Sequence, residues 1–343
     1  MHSKKRAKII NDPIYGFIEV DKGIINDLIN HKYFQRLRRI SQLGLSYLVY
    51  PGAQHTRFQH AIGSLHLMNK ALIQLENKGH KISKREKEGV KIAILLHDIG
   101  HCPFSHALER TIVKDINHEQ LTLIYMHKLN EEFNGKLSLA IKIFENKYER
   151  KFLNQLVSSQ LDMDRLDYLK RDSFFTGVTE GNIGVDRIIS MLDIKNDILV
   201  IEEKGIYSIE KFIIARRLMY WQVYLHKTVL SAENMLIQIL NRAKYLYKNS
   251  KKIYLSPDLK RFFENSFLID EFIKDNTILE NFSRLDDYEI YASLKYWIKN
   301  KDFVLSNLSQ NILDREILKI RIQKIKFNKK TISEYRLNMM KKE

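Results

Sequence analysis

Long stretches in which apolar residues recur every three or four positions confine most of this 343-residue chain to helices. The pattern is clearest over residues 61–76 and 208–247, and the whole sequence contains only four prolines. Strand signals are few: residues 197–202 with the following Gly205 predict a small hairpin, and the alternation over 318–322 predicts a late strand. We therefore expect an all-α helical bundle with a minor β-hairpin and a helical C-terminal region that ends in a short strand.

Chain length and composition allow one or two domains around a large core, since 44% of the residues are hydrophobic. No linker rich in proline, glycine or serine divides the sequence, so we predict a core over 1–245 and a helical C-terminal region with a basic tail over 246–343. The single cysteine, Cys102, excludes an internal disulfide and suits a reducing compartment. No signal peptide or membrane-spanning run is recognisable, so we expect a cytoplasmic protein without a membrane partner.

The net charge is strongly positive, because 57 lysines and arginines face 41 acidic residues and leave a charge of +16. An excess of this size attracts polyanions, of which nucleotides and nucleic acids are the obvious ones. The same excess also fits solvated basic faces without a specific ligand. Charge alone therefore does not choose between a nucleotide and a nucleic acid as the partner.

His97 and Asp98 stand side by side directly after the apolar run 90–96, which predicts a buried helix that ends in two polar residues. Burying such a pair is costly unless something neutralises it. A divalent cation would do so, because imidazole nitrogen and carboxylate oxygen together suit Zn, Fe, Mn or Ni. Taken alone, the dipeptide fits equally well an ordinary helix end whose aspartate bonds to the backbone.

Further motifs accompany this pair in a fixed order. They are Asn11-Asp12-Pro13-Ile14-Tyr15-Gly16, Phe34-Gln35-Arg36-Leu37-Arg38, Gln42-Leu43-Gly44, His55-Thr56-Arg57-Phe58-Gln59-His60, the segment His97–His106, His118-Glu119 and Asp162-Met163-Asp164-Arg165-Leu166-Asp167-Tyr168. In combination they resemble the HD-domain phosphohydrolase superfamily, and within it the branch of the deoxynucleoside triphosphate triphosphohydrolases. The resemblance implies an HD-type catalytic core, and Leu285-Asp286-Asp287-Tyr288 is similar to the C-terminal region of bacterial members.

The resemblance implies four ligands for one divalent transition metal: His60, His97, Asp98 and Asp164. Two imidazoles and two carboxylates leave room for water and a phosphate oxygen, and water held there loses its proton more easily than bulk water does. The resemblance also allows a Mg²⁺ ion that arrives with the substrate. Without the family pattern, the ordinary interpretation of His60 would be a helix cap or a buried core histidine.

The same resemblance assigns proton and phosphate chemistry to further polar residues near the metal. We predict that His118 protonates the leaving oxygen, that Glu109 orients His118, and that His106 positions the attacking water, with His101 beside them. Glu109 stands where family members carry aspartate, so this relay departs from the pattern.

Substrate contacts are implied for residues that match family positions along the chain. The guanidinium group of arginine forms bidentate hydrogen bonds with phosphate. An apolar residue beside the sugar disfavours a ribose, because its 2′-hydroxyl would have no hydrogen-bond partner. The phosphate positions are Arg57, Arg165 and Arg216, and the sugar and base positions are Gln42, Leu43, Tyr168, Asp172 and Tyr224. For Tyr224 core packing is the alternative, and the Leu225 that follows departs from a family glutamine, so no base preference carries over.

An effector site is a further implication. Lys8, Gln35 and Arg38 occupy places where family members bind an activating nucleotide between subunits, whereas Asn30 replaces an aspartate that reads guanine. We therefore expect a homo-oligomer, a dimer or tetramer, and allow for an activating nucleotide, although Asn30 weakens the case for guanine. The run 34–43 fits an amphipathic core helix equally well.

The leading hypothesis is hydrolysis of deoxynucleoside triphosphates to deoxynucleoside and triphosphate. One alternative is a phosphodiesterase or nuclease that uses the same ion on single-stranded nucleic acid, which the charge of +16 favours. The other is a sensor of nucleotides or nucleic acid with a vestigial site, against which the four intact ligand positions argue.

Overall fold

Helices carry the fold, as the apolar periodicity predicts. The computed structural model of the protein describes residues 8–113, 115–323 and 325–340, so Lys341 and Lys342 of the basic tail lie outside the described residues. The helices of the predicted core are α1 Ile24–Asn30, α2 Lys32–Gln35, α3 Arg57–Asn77, α4 Lys84–Leu96, α5 Glu109–Ile112, α6 His118–Glu132, α7 Ser138–Phe144, α8 Lys151–Val157, α9 Met163–Thr176, α10 Val185–Ser190, α11 Ile206–Met219 and α12 Lys227–Lys248. Those that follow are α13 Pro257–Glu264, α14 Ile269–Lys274, α15 Asn276–Arg284, α16 Asp287–Trp297, α17 Phe303–Leu313 and α18 Lys329–Met340.

Local capping fixes where the helices that carry the predicted ligands begin. Thr56 precedes α3, and its backbone N–H donates to the Gln59 side chain (2.8 Å), which closes a capping box. Asp162 precedes α9 and accepts from the backbone N–H of Arg165 (2.7 Å). These caps place His60 in the first turn of α3 and Asp164 in the first turn of α9, and His97 follows the last residue of α4.

Two antiparallel hairpins account for the strands of the described residues, and short 3-10 turns and a π-helical turn over Tyr220–Tyr224 complete the secondary structure. Strand β1 (Lys8–Asp12) pairs with β2 (Gly16–Val20), a hairpin that the sequence analysis missed. Strand β3 (Leu192–Lys195) pairs with β4 (Ile198–Ile201), so the predicted second hairpin is present but begins earlier. Its turn residues Asn196 and Asp197 both have positive φ, as a two-residue hairpin turn requires, and Gly205 belongs to a helical turn instead of a strand.

The late strand predicted over 318–322 is wrong: this segment is irregular in the structure. Its backbone bonds to side chains of α12, since the Ser231 hydroxyl donates to the carbonyl oxygen of Leu318 and the N–H of Leu318 lies 3.3 Å from the sulfur of Met235. A strand needs a partner edge, and both hairpins lie elsewhere among the described residues. The alternation of apolar and polar residues therefore forms no strand here, and the side chains of Leu318 and Ile322 are exposed.

One buried apolar cluster runs through both predicted parts of the chain. It includes Leu65 and Leu95 in the early helices and Phe282 and Trp297 in the later ones, and α12 continues through the predicted boundary at residue 245. Among the helices that the structure describes, none is both long and apolar enough to cross a lipid bilayer.

Candidate metal centre and adjoining cavity

Three helices bring His60, His97 and Asp164 together. The two Nε2 atoms are 3.2 Å apart, and Asp164 Oδ1 lies 3.1 Å from Nε2 of His60 and 3.4 Å from Nε2 of His97. Three ligand atoms at such spacing could hold one metal ion. Two imidazole nitrogens and a carboxylate oxygen match the ligand chemistry of divalent transition metals.

Neighbouring groups orient both imidazoles toward this common point. Nδ1 of His60 bonds to a carboxylate oxygen of Asp167 (2.7 Å), and Nδ1 of His97 bonds to the carbonyl oxygen of Ile94 (2.6 Å). Each bond favours a proton on Nδ1 and leaves the Nε2 lone pair for a ligand, an arrangement common around protein metal sites. The donor set therefore fits a bound divalent cation.

Asp98 lies at the same point but is shared with an arginine. Its carboxylate oxygens lie 3.5 Å from Nε2 of both His60 and His97, and one of them accepts a hydrogen bond from Arg57. Burial alone would raise the pKa of Asp98, but Arg57 and the surrounding histidines hold it well below its usual value. An ionised carboxylate is available as the fourth predicted ligand.

A buried ion pair lies behind the histidines. Arg171 is fully buried and donates to both carboxylate oxygens of Asp167 (2.8 and 3.0 Å) and to Asp12 (2.8 Å). Gly63 makes room for this pair, since a Cβ at that position would lie 2.0 Å from Asp167. Burial opposes ionisation of Asp167, but Arg171 and His60 lower its pKa, so the carboxylate that orients His60 is charged.

A second histidine cluster lies beside the first. The ring centroids of His101, His106 and His118 are 4.1 to 5.0 Å apart, and their nitrogens could also hold a cation. Glu109 bonds to Nδ1 of His118 (2.9 Å) and accepts from its backbone N–H (2.6 Å). Burial opposes ionisation of Glu109, but hydrogen bonds from the two nearby histidines hold its pKa well below the ordinary value.

Gly100 allows the two clusters to pack closely. A Cβ there would lie 2.3 Å from the carbonyl oxygen of His118 and 2.4 Å from the N–H nitrogen of Thr122. The hydroxyl of Thr122 accepts from the N–H of Gly100 (3.1 Å) and donates to the carbonyl oxygen of His97 (3.0 Å). The start of α6 is therefore joined directly to the turn that carries the metal ligands.

The clusters open into a cavity of about 420 Å³. The structure brings most of the predicted site residues to its wall: Gln42, Leu43, Arg57, Asp98, His101, His106, His118, Asp164, Arg165, Tyr168, Asp172 and Tyr224. His60, His97 and Glu109 lie behind this wall and act on it through the contacts described above. A volume of this size suits a small-molecule ligand.

Polar atoms at the wall are left for a ligand. Gln42 Oε1 and His101 Nε2 are buried and find no hydrogen-bond partner within the ranges that the structure describes. Asp172 accepts from the Tyr224 hydroxyl (2.8 Å) and bonds to His55 Nε2 (2.7 Å), and each of its oxygens keeps a second lone pair. Buried polar atoms are ordinarily paired, so these favour a polar ligand in the cavity.

Arg216 is the exception among the predicted phosphate contacts. It lies outside the cavity wall, where its guanidinium donates to the Gln160 side chain (3.1 Å) and lies 5.9 Å from the ring of Tyr220. Tyr220 itself lines the cavity. Arg165, by contrast, lines the cavity and forms an ion pair with Asp162.

Sequence reasoning missed several residues that shape the site. Asp167 and Arg171 are spaced i, i+4 on α9, so the motif around Asp164 already contained a signal for them. Glu233 lines the cavity on a face of α12 shared with Val229, where an isolated charge interrupts an apolar stripe. Burial raises the pKa of the Glu233 carboxyl to about 7.

We predict that Glu233→Gln makes protein stability less dependent on pH. Because the folded-state pKa of Glu233 lies above that of an exposed glutamate, the contribution of this one residue to stability is fully present below about pH 4.5 and is lost as pH rises through about 7. Glutamine has no such loss, so the variant should gain about 2–3 kcal/mol relative to wild type between pH 5 and pH 8. Urea unfolding of both proteins at pH 5 and pH 8 measures their free energies of unfolding. If the difference between variant and wild type were the same at both pH values, the prediction would be contradicted.

The predicted effector residues also lie together. Lys8 donates to the side-chain oxygen of Asn30 (2.8 Å), Gln35 donates to the carbonyl oxygen of Ile29 (2.6 Å), and Arg38 donates to Gln35 (2.9 Å). The structure thus places two cations on one surface patch, which we call the N-terminal patch, with Asn30 between them in the chain.

Comparisons with known proteins agree with this geometry. Residues 57–172 match the family described as HD domain, and residues 183–255 match the HD associated region. The uncharacterised protein YwfO of Bacillus subtilis is 33% identical over 94% of this chain and 72% of its own length. A Dictyostelium discoideum protein named deoxynucleoside triphosphate triphosphohydrolase SAMHD1 homolog is 30% identical over 95% of this chain and 69% of its own length.

Solved structures extend the match to three dimensions. A phosphohydrolase from Bacteroides thetaiotaomicron, whose crystal structure is solved, is 54% identical in sequence to this chain and has a TM-score of 0.95. The match covers 98% of this chain and 84% of the chain in that structure. A hypothetical protein from Aquifex aeolicus has a TM-score of 0.72 at 31% identity. With the His-Asp cluster, the family match and these relatives together, the chain belongs to the HD-domain phosphohydrolase superfamily.

Proposed function

We propose that the protein hydrolyses deoxynucleoside triphosphates to a deoxynucleoside and triphosphate. The observation that carries the proposal is the cavity of about 420 Å³, which joins the His-Asp cluster to two arginines and to a group fitted for a sugar. The name of the Dictyostelium relative, 30% identical, supports the same reaction. A divalent cation at His60, His97, Asp98 and Asp164 would supply Lewis acidity to water and phosphate.

The cavity residues would divide the work of the reaction. Arg57 and Arg165 bind the phosphates, because guanidinium groups match phosphate oxygens in geometry and charge. His106 positions a water molecule whose oxygen attacks the α-phosphorus while the bond from that phosphorus to the 5′-oxygen breaks. His118, held by Glu109, donates a proton to the departing 5′-oxygen, which becomes the hydroxyl of the deoxynucleoside.

Another part of the cavity wall would recognise the deoxyribose. Tyr168 and Tyr224 lie edge to face, 6.1 Å apart, and Asp172 beside them can accept a hydrogen bond from a 3′-hydroxyl. Leu43 would leave a 2′-hydroxyl without a partner, which disfavours ribonucleotides. The N-terminal patch, with Lys8 and Arg38, would bind an anionic effector between the subunits of a homo-oligomer.

Product analysis tests the proposal. Purified protein is loaded separately with Zn²⁺, Fe²⁺, Mn²⁺ or Ni²⁺ and given each dNTP, alone and with other nucleotides as activators, and the products are identified by mass. Triphosphate and deoxynucleoside support the proposal. Nucleoside monophosphate from a single-stranded oligonucleotide would instead support the phosphodiesterase or nuclease, and inert dNTPs under every condition would refute our assignment.

A further inference from the structure

A carboxylate from the C-terminal region reaches the cavity wall from behind. Asp287, the first residue of α16, is buried, and its two oxygens accept hydrogen bonds from the backbone N–H groups of Ser41 (2.8 Å) and Phe104 (2.6 Å). These two amides belong to loops that are 63 residues apart in the chain but adjacent in space. One carboxylate therefore bridges two loops.

Both loops present groups to the cavity. Ser41 directly precedes Gln42 and Leu43, and Phe104 directly precedes Ser105, all three of which line the wall. The Ser105 hydroxyl donates to the carbonyl oxygen of Ser41 (2.6 Å) and accepts from Nε of Arg57 (2.8 Å). Through Ser105, the contact between the two loops therefore reaches Arg57, which also bonds to Asp98.

The second loop has a conformation that needs such support. Phe104 and Ser105 have φ angles of 54° and 57°, in the left-handed region that costs side-chain-bearing residues about 1 kcal/mol or more each. The Asp287 carboxylate holds the N–H of the first of them. Arg36 adds a parallel link, since it donates to the carbonyl oxygens of His101 (2.7 Å) and Leu285 (3.0 Å).

We propose that Asp287 is a positioning residue of the active site, which fixes the spacing of the loops 41–44 and 104–106 and thereby aims Arg57 at the phosphates. The inference rests on the proposed function for its reaction, but the bridge between the loops stands independently of the substrate. The region after residue 245 is then part of the catalytic unit.

The test is Asp287→Asn, which keeps the shape but replaces one acceptor oxygen with an NH₂ group that cannot accept an amide hydrogen. We expect kcat for dNTP hydrolysis to fall about 10- to 100-fold, as for a reacting group displaced by a fraction of an ångström, with metal content unchanged. Hydrogen exchange at the amides of Ser41 and Phe104 should accelerate. Asp302→Asn is the matched control, because Asp302 caps α17 (2.9 Å to the N–H of Leu305) without reaching the cavity.

Wild-type kcat in a folded Asp287→Asn protein, or unchanged exchange at both amides, would overturn the inference. Equal losses in Asp287→Asn and Asp302→Asn would reduce Asp287 to a helix-stabilising carboxylate and would also overturn it. If Asp287→Asn does not fold, Ser105→Ala removes the hydroxyl between Ser41 and Arg57 and must lower kcat in the same way. Wild-type protein inert toward dNTPs refutes the proposed function alone, because the exchange measurement still decides the bridge.

Discussion

Asp164→Asn should leave the protein folded but without its metal and without phosphohydrolase activity. Asparagine keeps the shape of the side chain, but it removes the charged oxygen that faces Nε2 of His60 and His97 at 3.1 and 3.4 Å. Two imidazoles and the Asp98 carboxylate shared with Arg57 then hold the cation poorly. We expect hydrolysis to fall by roughly 10³-fold or more, or about 4 kcal/mol of barrier.

Elemental analysis after reconstitution gives the metal content of Asp164→Asn, and initial rates on a dNTP panel give its activity. Asp186→Asn is the control, because Asp186 is exposed and, within the part of the chain that the structure describes, pairs only with Lys70 (2.6 Å), so metal and rate should stay at wild-type values. Full metal content and full activity in Asp164→Asn would disprove the assignment of the metal centre.

Of the variants proposed for this protein, Arg171→Met should lose the most free energy of unfolding. The arginine neutralises two buried carboxylates, those of Asp167 and Asp12, and methionine has a similar length without charge. Removing one partner from a buried ion pair typically costs about 3–5 kcal/mol, because the other charge stays buried. Asp167 would take up a proton more readily and hold Nδ1 of His60 less firmly, so metal affinity should also fall.

Urea unfolding at pH 7 gives the change in the free energy of unfolding for Arg171→Met. Lys70→Met breaks the exposed pair with Asp186 and should cost less than about 1 kcal/mol. A loss below that value in Arg171→Met would show that the surroundings of Asp167 and Asp12 compensate for the missing charge.

Periodicity and local motifs predicted the parts of this protein that depend on neighbours in sequence. The helical fold is confirmed, and the ends of α3, α4 and α9 follow from capping residues and apolar runs close by. The late strand predicted over 318–322 is wrong, because alternation alone does not supply the partner strand that a sheet requires. Local patterns describe a segment's preference, and its packing partner decides the outcome.

The sequence predicts those parts of the candidate site whose residues form short motifs. It does not predict contacts between residues that lie far apart in the chain. His97 and Asp98 are adjacent, whereas Asp287 bonds to residues 183 and 246 positions away and had no local signal for that role. Arg216 matched a motif position, yet its side chain lies outside the cavity wall, because sequence spacing does not set a rotamer. The roles of the individual site residues stay predictions.

Gly100 limits which substitutions the site can accept. The residue bears no functional group, yet the space that a side chain would need is filled by the backbone at the start of α6. Any larger residue would separate the turn that carries His97 and Asp98 from the helix that begins at His118. In a library of variants, position 100 should therefore tolerate as little change as a metal ligand does, although Gly100 does not line the cavity.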